Sequence, residues 1–77
     1  MSPVREWSEE LTLEVRDKRG NVLRTREDAA NYILQLPKVR QNRRAWKAAT
    51  RVLLEGGSAG AVTHYIIKAL SSDGELG

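Results

Sequence analysis

Glu10-Leu-Thr-Leu-Glu-Val-Arg-Asp-Lys-Arg-Gly-Asn-Val-Leu-Arg24 is the stretch that decides the fold class. Leu11, Leu13 and Val15 alternate with polar residues, which is the period of a strand with one buried face. Asp17-Lys-Arg-Gly-Asn21 then reads as a tight turn, since Gly20 takes a positive φ at no steric cost. Asn21-Val-Leu-Arg24 reads as a short second strand. A two-stranded ribbon alone is barely stable in water, so its apolar face must pack on helices.

The residues downstream supply those helices. Thr25 is a good N-cap, and Glu27 and Asp28 suit the positive end of a helix dipole. Leu36-Pro37 stops the element, because a residue preceding proline is pushed out of the helical region. The first helix is therefore expected over about Arg26–Gln35, with Ala29, Ile33 and Leu36 on one face and Ala30 and Leu34 beside it. A second helix is expected from about Gln41 or Asn42 to Glu55, stopped by Gly56-Gly57. Ser58 caps a third that runs to about Leu70 and buries Val62, Ile66, Ala69 and Leu70. The tail from Ser71 to Gly77 is polar and reads as frayed. The expected architecture is α+β: an N-terminal β-hairpin followed by three helices (ββααα). It forms a single compact domain over 1–77, with an ordered core of about 7–71 and a flexible tail at 72–77.

Composition narrows the chemistry. The chain has no cysteine, which excludes a disulfide framework, a thiolate zinc site and a cysteine nucleophile. No apolar run approaches the roughly 20 residues of a membrane span. The start, Met1-Ser-Pro-Val-Arg-Glu-Trp7, has no apolar core of a signal peptide, so a cytoplasmic location is expected. At 77 residues the chain is a size that buries only about 60% of its unfolded surface, so a partner subunit would add stability.

Charge carries the one strong asymmetry. Between Ala29 and Leu54 there are six cationic side chains and no acid. Residues 1–28 hold six bases against seven acids, and residues 55–77 one base against three. At 100° per residue, Arg40, Arg44, Lys47 and Arg51 form one stripe on the second helix, with Arg43 at its edge. Ala45, Ala49, Val52 and Leu53 fall opposite, with Trp46 on the shoulder. Arginines in a row can fork onto the phosphates of a nucleic acid, and a basic outer face can equally be a solvated surface. Neither tyrosine interleaves with the stripe to stack bases, and Thr63, His64 and Lys68 give the following helix little polar reach into a groove.

Other groups suggest no active site. His64 is the only histidine and has no Asp or Glu at helical spacing. Glu6, Glu9, Glu10 and Glu14 cluster near the hairpin and could solvate the surface, hold a cation or face the basic stripe of a second copy. Gly56-Gly-Ser-Ala-Gly60 lacks the lysine and preceding strand of a phosphate loop. Trp7 is expected to pin the N-terminus to the core. Trp46 is either core or an interface anchor, and Ile67, off the apolar stripe of its helix, is a second interface candidate.

The order of several motifs resembles a family of small bacterial proteins catalogued as a domain of unknown function, number nine-eight-two. The matching pieces are Trp7 before a strand, Gly20, Glu27-Asp28-Ala29, Leu36-Pro37, Ala48-Ala49, Leu53-Leu54-Glu55-Gly56 and Ile66-Ile67-Lys68-Ala69. The chain departs from the family at Leu36, where tryptophan is usual, at Val62-Thr63, where an Ala-Arg pair is usual, and in lacking a cysteine in the second helix. The resemblance implies a hairpin-plus-helices domain and carries no activity. The expectation for function is a non-catalytic binding or protein-interaction module, with an unknown protein partner or a homodimer. The alternative is phosphate-backbone binding through Arg40, Arg43, Arg44, Lys47 and Arg51. No catalytic, metal-binding or cofactor-binding residue is assigned, and no cofactor is expected.

Overall fold

The computed structural model describes residues 5–77, and side chains from Trp7 onward. After a single 3-10 turn at Arg5–Ser8, strands β1 (Glu10–Arg16) and β2 (Val22–Thr25) pair antiparallel. Helices α1 (Arg26–Leu34), α2 (Lys38–Gln41), α3 (Arg44–Leu54) and α4 (Ala59–Ser72) follow. A hairpin followed by helices is the expected order, but the helices number four.

Proline explains the extra helix. Pro37 is extended at φ −55° and ψ 146°, and its carbonyl accepts from the amides of Arg40 and Gln41. That closes one turn immediately after the break. Arg43 then returns to an extended conformation, φ −68° and ψ 147°, before α3 begins. The basic segment is therefore two helices with a corner between them, and Arg40 is not on the helix that carries Arg44, Lys47 and Arg51.

The hairpin turn forms as its residues dictate, with Gly20 at φ +90°. It is organised by Asp17, which is buried beneath it. Asp17 Oδ1 accepts from the amides of Arg19 and Asn21, and Oδ2 accepts from Asn21 Nδ2 and from the Tyr32 hydroxyl at 2.7 Å. Burial alone would push this carboxyl up; the hydrogen bonds from Asn21, Tyr32 and the turn amides outweigh it and hold it at about 2. Burial and the neighbouring Asp17 charge push the Tyr32 phenol the other way, to about 12.

One strand expectation fails. Leu11 and Val15 are buried, but Leu13 points to solvent. Glu10 pairs with Thr25 and Val15 with Leu23, so five residue steps along β1 run against two along β2. Such a bulge breaks strict alternation and turns the extra residues outward. Here β1 also meets α4: the Thr12 amide donates to the buried Thr63 hydroxyl, which itself donates to the Ala59 carbonyl.

Thr25 caps α1 as expected. Its hydroxyl accepts from the Asp28 amide and Asp28 Oδ2 accepts from the Thr25 amide, a reciprocal box. Ser58 caps α4 with one bond, its hydroxyl accepting from the Ala61 amide. The core lies between the hairpin and the helices, and its largest fully buried side chains are Trp46, Ile66, Leu70, Val15 and Val62. Trp7 is half-buried and packs against this core.

The segment expected to fray does not stand free. α4 continues to Ser72, and Asp73 caps its C-terminus. The tail then folds back: the Glu75 amide donates to the Leu70 carbonyl, the Lys18 amide to the Glu75 carbonyl at 2.8 Å, and the Gly77 amide to the Arg16 carbonyl at 2.9 Å. Asp17 and Leu76 form an isolated antiparallel bridge. Polarity suggested solvent, but the polar backbone of the tail satisfies the end of β1 instead.

Candidate functional site

The five basic residues singled out from sequence do not form one free stripe. Two of them converge on Asp73, whose side chain is only 3% exposed. Arg40 Nε donates to Asp73 Oδ2 at 2.9 Å, and Arg43 Nη1 donates to Oδ1 at 2.7 Å. Arg40 Nη2 also lies 2.9 Å from Oδ2 but off the line of a hydrogen bond, so this buried nitrogen makes none. Burial would raise the Asp73 carboxyl; hydrogen bonds from Trp46, Arg43 and Arg40 overcome that and lower it. The cluster joins the α2–α3 corner to the end of α4.

Trp46 belongs to this cluster as well. It is 0% exposed and its Nε1 donates to Asp73 Oδ2 at 2.7 Å, while its ring packs 5.9 Å from that of Tyr32. Trp46 is therefore core, and the interface role considered for it is excluded by its burial. Ile67, also considered as an interface residue, is half-buried and packs against the core. Its position one residue after Ile66 places it at the margin of the apolar stripe rather than opposite it.

Arg44, Lys47 and Arg51 remain exposed on α3, and among the described residues none has an ion-pair partner. The acidic cluster is largely answered within the chain. Glu14 accepts from Arg16 and Arg24, whose hydrogen bonds hold it below the usual carboxylate range, and Glu9 accepts from the buried Arg26. Glu6 lies outside the described side chains. The exposed His64 packs edge-on against Tyr65, ring centroids 5.4 Å apart. Among the described residues no group of three His, Asp or Glu side chains is placed to hold a metal ion. Among them also, no helix is long and apolar enough to cross a membrane.

A concave apolar surface lies beside the basic residues, between α1 and α3. Two depressions of ≈ 450 and ≈ 310 Å³ share Ile33, Leu34, Thr50 and Leu54. Trp7 and Ala30 line the outer end, and Gln41, Asn42, Lys47 and Arg51 the inner one, together with a single acid, Glu55. Leu34 is 74% exposed and Leu54 73%. Val39, on the neighbouring α2, is 74% exposed as well. Leucines this open are unusual as a group on a small domain, whereas one alone would mean little.

Helix geometry explains how they arise. Ala30, Ile33 and Leu34 fall on one side of α1, and Lys47, Thr50, Arg51 and Leu54 are neighbours along α3. Each helix also turns a buried face to the core: Ala29 and Ile33 from α1, Trp46, Ala49 and Leu53 from α3. On α1 the apolar band is wider than the core covers, and Leu34 is its surplus; on α3 Leu54 falls in line with Lys47, one position off the buried face, and borders the groove from the basic side. Sequence reading placed Leu34 beside the core face and did not single out Leu54; the signals available were a broad apolar arc on α1 and, on α3, a leucine interrupting the basic stripe in line with Lys47.

Comparisons with protein-family models, with curated proteins and with solved structures find no match to this chain.

Proposed function

We propose that the protein is a non-catalytic interaction module and that its binding surface is the α1–α3 groove, occupied by a segment of a partner protein. The observation that supports this most directly is the pair Leu34 and Leu54, open to solvent on facing sides of an apolar depression. Covering two leucines removes enough apolar surface for about 3–5 kcal/mol before association costs. That is a large share of the roughly 8 kcal/mol of a micromolar complex. The likeness to the nine-eight-two family rests on the motifs quoted above and brings no activity to this reading.

Phosphate-backbone binding is the competing reading. It has three open cations on α3 rather than a row of five, since Arg40 and Arg43 are engaged by Asp73. Site-specific photo-crosslinking in cells tests the choice. A photoreactive residue at position 34 or 54 is expected to capture a discrete protein, and one at the exposed Leu13 on the hairpin is not. Crosslinks to nucleic acid from position 47 or 51, with none to protein from 34 or 54, would overturn the module in favour of the competing reading.

A further inference from the structure

We infer that the groove receives an amphipathic α-helix bearing acidic residues, supplied by a different protein; this rests on the interaction-module reading above. The shape of the groove chooses the conformation of its occupant. Its two walls are helices, whose backbone amides and carbonyls are already paired within α1 and α3. Its middle is lined by Ile33, Leu34 and Leu54, with Thr50 as the one polar side chain. Gln41, at the inner end, already donates to the Leu36 carbonyl at 2.7 Å. An extended peptide laid along the middle would bury its own amides and carbonyls against side chains that offer only the Thr50 hydroxyl. A helix satisfies them internally and presents only its side chains, which interdigitate with the ridges of α1 and α3.

Charge chooses the chemistry of the occupant. Lys47 and Arg51 stand at the inner end of the groove, one helical turn apart, and Glu55 is the only acid lining it. Acidic side chains flanking the apolar face of the incoming helix would meet both cations. The same charges argue against a second copy of this chain. A two-fold contact through one patch brings that patch against itself, so two cations and one acid, Glu55, would meet the same set on the partner, with a net repulsion between like-charged ends. Glu9, Glu14 and Asp73 are already bonded to the chain's own arginines, and of the acids without such a pair only Glu55 lines the groove.

Three synthetic peptides test the inference against the full-length chain. One is an 18-residue helix with Leu at i, i+3, i+4 and i+7 and flanking Glu. The second has Lys in place of each Glu, and the third carries a central proline in the Glu sequence. Binding is read by backbone amide chemical shifts, with Thr50, Leu53 and Leu54 as reporters. At low salt the Glu peptide is expected to bind about tenfold more tightly than the Lys peptide, the advantage shrinking as salt rises. The proline peptide is expected to lose binding. Lys47→Glu with Arg51→Glu should reverse the preference. Arg44→Glu with Lys68→Glu, an equal charge change between α3 and α4 at residues that do not line the groove, should leave it intact.

A Lys peptide that binds as well as the Glu peptide overturns the acidic partner. A proline peptide that binds as well overturns the helix. Concentration-dependent dimerisation through Leu34 and Leu54, seen by light scattering, overturns the foreign partner. Any of these can occur while crosslinks from position 34 still capture a protein, so the inference can fail without the module failing. Absence of those crosslinks fails the module itself.

Discussion

Replacing Asp73 by alanine should cost about 3–4 kcal/mol, although the residue sits in a polar segment near the end of the chain. The carboxylate accepts from Arg40, Arg43 and Trp46, residues 33, 30 and 27 positions away. Arg43 is half exposed, so water replaces its lost partner and the loss there is under about 1 kcal/mol. Arg40 is different, being 17% exposed with one buried nitrogen already unpaired. Leaving a largely buried guanidinium without its counter-charge costs about 2 kcal/mol, less than the ~3–5 of a fully buried pair. The Trp46 indole N–H is wholly buried, and orphaning it adds about 1 kcal/mol. For a domain of this size total stability is about 4–12 kcal/mol, so the variant should melt roughly 15–25 °C lower. Urea denaturation followed by far-ultraviolet circular dichroism, with Glu55→Ala as an exposed control, measures the difference. Asp73→Asn keeps an acceptor without the charge and should fall about midway. A loss below about 1 kcal/mol for Asp73→Ala would refute the reasoning, because it would mean that the cluster contributes no more than a surface ion pair.

Four further outcomes are expected. Asp17 titrates at about 2 in the folded chain against 3.8 unperturbed, so its contribution is complete above pH 4 and disappears as pH falls through 2. That contribution is about 2 kcal/mol, and Asp17→Asn should flatten the acid limb of stability against pH by this amount. Tyr32 should ionise near pH 12, its stabilising contribution being full below pH 10 and lost between 10 and 12; absorbance titration should show its ionisation moving to lower pH in Asp17→Asn. Arg26 is buried and bridges Glu9 to the Gly57 carbonyl, so Arg26→Ala should lose about 2–4 kcal/mol in urea titration while Glu27→Ala, exposed one residue on, should stay within about 0.5. Leu34→Asp and Leu54→Asp should shift stability by less than about 1 kcal/mol by the same measurement, since both side chains already face water, yet abolish protein capture by a photoreactive residue placed at position 50.

The elements that were legible are those whose signals are local. The Thr25 and Ser58 caps, the Gly20 turn and the Leu36-Pro37 stop each depend on residues a few positions apart, and each appears in the structure. Pro37 also shows where local reading ends: it predicts the break, while the extra turn of α2 depends on the chain having a corner to make before α3 packs. Leu13 fits the strand pattern perfectly and still faces solvent, because the bulge is set by how β1 and β2 must pair while β1 also meets α4.

For the candidate site the division is sharper. Sequence alone determined that the middle of this chain is cationic and acid-free, that α3 is amphipathic, and that Val62, Ile66, Ala69 and Leu70 form one buried stripe. Only the tertiary structure decided which cations are free. Asp73 lies outside the basic segment, and nothing within one or two helical turns connects it to Arg40, Arg43 or Trp46. Their meeting depends on the chain reversing between α3 and α4. The groove is of the same kind. Leu34 and Leu54 are ordinary leucines on amphipathic helices until α1 and α3 are placed side by side, and then they border a single surface. Periodicity records which side of a helix is apolar; which apolar side chains the rest of the chain leaves uncovered, and which of them it brings together, is a property of packing.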